Sequence, residues 1–239
     1  MKLGLRLTTA ATLAFLALVP FALLAALVAG GWTPLHHLDM TVTGALHDWA
    51  LSHPGWTRAT VWWTTILSPN PLRLAALILV IWLVRRRARP LAIWVATTMV
   101  VGGVLGALLK LLVGRIRPEL LDPVASAPGL AFPSGHALNA TLAAAVFVLV
   151  LLPVARGGRR WLLWGAAIAV AVLTGLSRIV LGVHWTSDVV AGWLLGVAVV
   201  AATAAAFTRL GPATVIEEGL DPRLAHSADG AAPGEPPRR

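Results

Sequence analysis

The chain has 239 residues, of which 58% are hydrophobic and only 12% charged, with a mean hydropathy of +0.81. Soluble domains carry about 25% charged residues and under half apolar ones, so this composition excludes a soluble enzyme, a disordered chain and a secreted disulfide scaffold. The absence of cysteine excludes thiol catalysis, Fe–S clusters and Cys-based zinc sites, and the basic excess (19 Lys+Arg against 10 Asp+Glu) takes its meaning from where the charges fall.

The first long apolar run covers about residues 7–30, behind Lys2 and Arg6. A signal peptide opens the same way, but its apolar core is about 7–15 residues against roughly 24 here, so the run reads as an uncleaved span. Residues 32–56 follow, with Trp32, His36, His37, Asp39, His47, Asp48, Trp49, His53 and Trp56. Leu35, Leu38, Val42, Leu46 and Trp49 recur at three- and four-residue steps, which predicts an interfacial helix on the outer leaflet. A four-histidine metal site is the competing reading, although the adjacent His36 and His37 cannot share one helix face. A second span, about residues 57–84, is interrupted by Ser68-Pro69-Asn70-Pro71 and closes on the arginines of residues 85–89. Because the prolines lack amide hydrogens, a kink or a late helix start is expected there.

The third span covers about residues 91–113 and the fourth 137–155, followed by Arg156-Gly157-Gly158-Arg159-Arg160. The fifth is about 161–182 and the sixth about 189–207. The predicted fold is all-α: a polytopic membrane protein, a six-transmembrane helical bundle over residues 1–209 with the interfacial helix between spans one and two. Residues 210–239 are rich in Pro, Gly, Ala and charge, and predict a disordered cytoplasmic tail.

Most of the 19 cations lie on one side: Lys2, Arg6, the arginines of 85–89 and 156–160, and Arg209, Arg223, Arg238 and Arg239. The positive-inside rule places both termini in the cytoplasm. Arg58, Arg73, Lys110, Arg115, Arg117 and Arg178 remain. The last four sit near the outer ends of spans three and five, where the rule disfavours them. Connectivity brings those ends to one interface with Pro133-Ser134-Gly135-His136, Ser177, His184 and Asp188. Charges so close to hydrocarbon are costly and point to function.

Lys110 and Arg117 are seven apart, about two turns and 10 Å on a helix, with Pro118 ending it; snorkelling to headgroups is the plainer alternative. Ser134 is a candidate N-cap, and the free amides of Gly135 and His136 would form an anion site, or an ordinary cap beside a solvated histidine. His184 and Asp188, four apart, let a carboxylate hold one imidazole nitrogen and leave the other free; a structural pair is the alternative. Arg178 could fork two phosphate oxygens. Together these groups meet the needs of phosphoryl transfer through a histidine.

Lys110-x6-Arg117-Pro118, Pro133-Ser134-Gly135-His136 and Ser177-Arg178-x5-His184-x3-Asp188 resemble, position by position and in order, the three signature motifs of the type 2 phosphatidic acid phosphatase family. That family includes membrane lipid phosphatases and relatives of the vanadium haloperoxidases. The motifs span residues 110–188, and the resemblance extends over about 35–207. It implies hydrolysis of a lipid phosphate such as phosphatidic acid, phosphatidylglycerol phosphate or an isoprenoid diphosphate (undecaprenyl diphosphate, for example). By resemblance His184 would be the nucleophile forming a phosphohistidine, Asp188 its orienting group, and His136 the proton donor and then the base for water. Lys110, Arg117, Arg178, the Ser134 hydroxyl and the Gly135 amide would hold the phosphate.

No metal or cofactor is expected: three cations answer the phosphate charge, Asp188 is committed to His184, and Glu119 and Asp122 are too few and too solvated for magnesium. Arg115 reads as a solvated cation, or else as a contact to a headgroup or second phosphate, and Ser177 as a hydrogen-bonding support for Arg178. The 14-residue loop 119–132 is expected to cap the site little. The site faces outward from a plasma or inner membrane, toward an outer-leaflet lipid phosphate, with no nucleic-acid partner and no prediction of oligomeric state. A lipid-phosphate transporter or binding protein without hydrolysis is the alternative, though binding alone has no need of His184, Asp188 and a second histidine. A haloperoxidase does not fit six spans.

Overall fold

Proline decides where four of the helices begin. In the computed structural model, which describes residues 2–210 and the side chains of residues 7–208, a proline stands in the first turn of α2 (Thr33–Ser52), α3 (Pro54–Ile66), α4 (Pro69–Arg85) and α5 (Arg89–Val113). Its missing amide costs little there, because first-turn amides have no intrahelical acceptor. Helix α1 (Lys2–Ala29) precedes these, and α6 (Gly135–Leu151), α7 (Arg159–Val180) and α8 (Thr186–Leu210) follow. The described residues are all-helical, with no strand.

Among the described residues, four helices are long and apolar enough to cross a membrane: α1 over Leu7–Ala29, α5, α7, and α8 over Thr186–Thr208. Helices α3 and α4 qualify together as a fifth, bent by 41° at the break before Pro69. The kink expected at Ser68-Pro69-Asn70-Pro71 is therefore present. Helix α6, expected over 137–155, has only 17 residues. At 1.5 Å per residue it is about 26 Å long, short of the roughly 30 Å hydrocarbon core. Among the described residues, length and composition alone thus identify four spans, or five with the bent pair, and α6 is a shorter apolar helix beside them. Of the predicted tail, residues 211–239 lie outside the described residues.

Helix α6 stands at the centre. Residues 137–143 are all buried in succession, as happens only when neighbours surround a helix on every side. Small residues let those neighbours close in. A Cβ added at Gly102 or Gly106 of α5 would come within 2.4 Å of Leu142 Cδ1 or 2.7 Å of Leu138 Cδ2. On α8, one at Gly192 would meet Ser134 O at 2.8 Å, and one at Gly196 would meet Thr141 Cβ at 2.7 Å. Helix α8 also packs along α1. Outward-facing Phe15, Leu16, Leu111, Leu112 and Trp161 remain exposed, as suits a lipid-facing surface.

Helix α2 exists where the interfacial helix was expected, but it buries a different face. Asp39, Thr43, His47 and Ala50 are buried, while Leu38 and Trp49 of the anticipated apolar stripe are exposed. Of that stripe, Val42 and Leu46 pack against Ala137, Ile179 and Val189. The physical reason is the solvent: where lipid is the surroundings, apolar groups gain little by turning inward, and polar groups seek partners in the protein. The histidines of this region do not gather on a metal site. His36 meets the Trp185 ring edge-on, His53 stacks on Trp49, and His47 bonds to a loop carbonyl.

Candidate active site

The α5–α6 loop starts from a glycine. Gly114, at φ 63°, takes the left-handed conformation that ends α5 and donates its N–H to the Lys110 carbonyl. Arg117 therefore lies on the loop, not two helical turns above Lys110; α5 stops before Pro118 could stop it. The loop folds back so that both cations reach one carbonyl. Lys110 Nζ donates to Leu130 O at 2.6 Å, and Arg117 Nη2 reaches the same oxygen at 3.4 Å. Arg117 also donates to Gly129 O (2.9 Å) and Val183 O (2.6 Å), and its Nη1 lies 3.0 Å from His184 Nε2.

Ser134 is the N-cap of α6, but its hydroxyl makes no cap bond and is buried without a partner. Its amide donates to Asp188 O at 2.9 Å, tying the start of α6 to α8. The first intrahelical bond of α6 runs from Leu138 N to Ser134 O. The amides of Gly135 and His136 precede it, at the positive end of the helix. Behind them, Arg73 of α4 donates to Asn139 Oδ1 at 3.0 Å, and the Asn139 amide donates to Gly135 O at 2.8 Å.

The α7–α8 turn holds the third group. His184 is 1% exposed, and its Nδ1 lies 3.3 Å from Asp188 Oδ2. A carboxylate oxygen can only accept here, so Nδ1 carries the proton and the Nε2 lone pair faces Arg117. Asp188 Oδ2 also accepts the Trp185 amide at 2.9 Å, reaching back over the first turn of α8. Burial pushes the His184 pKa down to about 4; the Asp188 hydrogen bond and charge oppose this, and the Arg117 and Arg178 charges add to it. Burial likewise lowers the Arg117 pKa, against the Asp188 charge.

Arg178 is buried, with Nη1 donating to Thr64 Oγ1 of α3 at 2.9 Å and Nε left without a partner. Buried polar atoms are nearly always satisfied, so the orphaned Arg178 Nε and Ser134 Oγ mark where a polar ligand fits. His136 lies within the fields of Arg178, His184, Arg117 and Lys110. All eight residues singled out in the motifs fall at one end of the bundle: Lys110, Arg117, Ser134, Gly135, His136, Arg178, His184 and Asp188.

Three expectations need correction. Arg115 is not a solvated cation: its side chain is 14% exposed and pairs with both Asp39 and Asp188 at 2.7 Å. Asp188 is therefore shared between His184 and Arg115. Ser177 does not support Arg178; its hydroxyl donates to Thr174 O at 2.7 Å. Thr64 performs that role, and nothing in the spacing around Thr64 signals it. Asp39 did carry a signal, since Asp39, Thr43 and His47 recur every four residues, but the more obvious apolar periodicity masked it. Loop 119–132 covers more than its length suggested. Leu120 packs where a Gly182 Cβ would lie, and Leu121 O bonds His47 Nε2 at 3.0 Å. A cavity of about 330 Å³ opens beside Arg117, lined also by His47, Glu119, Leu120 and Val183.

Comparison with known proteins bears on this geometry. The family described as the PAP2 superfamily matches residues 91–212, just over half of the chain. An undecaprenyl-diphosphatase of Sulfolobus acidocaldarius is 35% identical over 121 residues, 48% of this chain and 54% of that protein. A phosphatidylglycerophosphatase B of Bacillus subtilis is 36% identical over 95 residues, 38% of this chain and 46% of that protein. A lipid A 1-phosphatase of Rhizobium etli is 35% identical over 109 residues, covering 42% and 43%. The chain thus spans about half the length of the curated relatives it matches. The fold is similar to the crystal structure of a transmembrane PAP2-type phosphatidylglycerolphosphate phosphatase from Bacillus subtilis, with a TM-score of 0.74 and 22% identity over 83% of this chain and 97% of that one. The chain belongs to the PAP2 superfamily.

Proposed function

We propose that the protein is an integral membrane phosphatase that hydrolyses lipid phosphate esters through a phosphohistidine, without a metal. The observation that carries this is the His184 imidazole, held by Asp188 through Nδ1, with its Nε2 lone pair turned toward the cations. A site for binding alone would have no use for that arrangement. The relatives named as lipid phosphatases support the substrate class: phosphatidic acid, phosphatidylglycerol phosphate or an isoprenoid diphosphate.

Arg117 Nη1 faces the Nε2 lone pair of His184 at 3.0 Å. An incoming phosphate takes over that hydrogen bond, and its oxygens are met by Lys110, Arg117, Arg178, the Ser134 hydroxyl and the first amides of α6. Nε2 then attacks phosphorus, forming the P–N bond as the P–O bond to the lipid breaks. Asp188 stabilises the charge that develops on the ring. His136 gives its proton to the departing oxygen; the phosphate dianion beside it favours the protonated form. His136 next takes a proton from water as that water attacks phosphorus, the P–N bond breaks, and inorganic phosphate leaves.

The membrane reading has six spans: α1, the bent α3–α4 pair, α5, α6, α7 and α8. The arginine-rich turns at 85–89 and 156–160 lie at the end opposite the site, which supports cytoplasmic termini and an outward-facing site on an outer-leaflet lipid. Helix α2 would then rest at the outer interface over the site. Purified protein should release phosphate from phosphatidic acid or undecaprenyl diphosphate at an unchanged rate in excess chelator. Loss of activity on chelation, restored by a divalent ion, would overturn the metal-free mechanism.

A further inference from the structure

We propose that Asp39 and Arg115 form a positioning pair that sets the orientation of Asp188 and, through it, of His184. The proposal rests on the reading of His184 as the nucleophile.

Asp188 divides its oxygens between two partners. Oδ2 accepts from His184 Nδ1 and the Trp185 amide, and Oδ1 accepts from Arg115 Nη1 at 2.7 Å. The plane of the carboxylate is therefore fixed from the Arg115 side. Arg115 is fixed in turn: Nη1 also donates to Ser187 Oγ at 2.6 Å, Nη2 donates to Asp39 Oδ2 at 2.7 Å, and the guanidinium lies 5.5 Å from the Trp185 ring centre. Asp39, fully buried on α2, accepts the Ser187 amide on Oδ1 (2.8 Å) and the Ser187 hydroxyl on Oδ2 (2.5 Å). A carboxylate from a different helix thus caps α8 beside the site.

Stability alone is a weak reason for such a network. Burying an ion pair usually returns little net energy over an apolar replacement, and its best-attested use is to fix register. Here the planar fork of Arg115 holds two carboxylates through separate nitrogens in one fixed plane, a geometry that the point charge of a lysine ammonium does not impose. The charged and titratable groups facing His184 are Arg117 from the loop, Arg178 of α7, Asp188 of α8 and His136 of α6. Arg115 acts on His184 only through Asp188.

The test compares Asp39→Asn and Arg115→Met with the unaltered protein in kcat, KM and the acid limb of kcat. Misplacing a catalytic group by about 1 Å costs about 100-fold, so each single variant should lose about that much kcat with KM little changed. The acid limbs should move in opposite directions. Without Arg115 the Asp188 charge acts more fully on His184, which gains its proton more readily, and the limb rises. Without Asp39 the Arg115 charge is left unbalanced, and the limb falls. The double variant should be no slower than the slower single one. Arg115→Lys keeps the charge and guards against a folding failure; it should lose kcat while leaving the limb near its original position. Unchanged kcat in folded Asp39→Asn or Arg115→Met, or limbs that stay put or move together, would overturn the positioning role. His184→Ala separates the two readings: if it remains active, the nucleophile assignment fails, and if it is dead while the Asp39 and Arg115 variants behave normally, only this inference fails.

Discussion

The two halves of the molecule contribute to the site in different ways. In the proposed mechanism the half from α5 onward carries every residue that would touch phosphate: Lys110, Arg117, Ser134, Gly135, His136, Arg178 and His184. The half before it carries none, yet it supplies partners that hold those residues still. Asp39 takes Arg115 and Ser187, His47 takes the Leu121 carbonyl, Thr64 takes Arg178, and Arg73 takes Asn139 behind the start of α6. The difference teaches that, under the proposed function, the motif half serves as a set of ligands and the preceding half as their mount. A buried cation without its mount is an unpaired charge, so both halves should matter to activity, by different amounts.

Substitutions can break or sharpen this contrast. The largest effect is expected in the motif half. If Arg178 donates to the transferring phosphoryl group as proposed, Arg178→Ala should lower kcat/KM about 10²–10³-fold, as loss of a charge-stabilising donor generally does. Thr64→Val removes only the mount of the same guanidinium and should cost about tenfold, the worth of one hydrogen bond to a charged group. Steady-state kinetics on one lipid substrate checks both. Equal losses would erase the distinction between ligand and mount.

A pH profile tests the environment of His184. Its pKa is held down to about 4, so the unprotonated Nε2 needed for attack persists well below the ordinary imidazole value of 6.5. The contribution of His184 to the acid limb of kcat should therefore fall below pH 5, once ionisation of the substrate is accounted for. A His184 limb near 6.5 would mean that the ring is solvated in the working enzyme. The smallest effect belongs to His47→Ala. It frees the Leu121 carbonyl at a cost of about 1 kcal/mol, and should appear as a lower thermal midpoint with less kinetic effect than Thr64→Val.

Much of this was legible in the residues. Lys110, Arg117, Arg178, His136, His184 and Asp188 stand out because charge is rare in so apolar a chain, and helix connectivity alone sends them to one end. The bend at Pro69 was legible for the same local reason, a missing amide. What escaped were the partners supplied across space. Thr64 and Ser187 are ordinary residues in helices, and Ser177 sits beside Arg178 in sequence while its hydroxyl turns to the backbone. Arg115 looked solvated because its two carboxylates come from helices 76 and 73 residues away. The buried face of α2 departs from its apolar stripe because apolar periodicity reports burial only when water is the alternative. The shortness of α6 was hidden because its apolar run continues past Leu151 into a turn.

The central claim is that phosphate passes through His184. Rapid quenching of purified protein with ³²P-labelled lipid phosphate tests it most directly. The account predicts a protein-bound label that is stable in alkali, lost in acid, and absent from His184→Ala. Label that survives His184→Ala, or phosphate release from that variant at the wild-type rate, would contradict it.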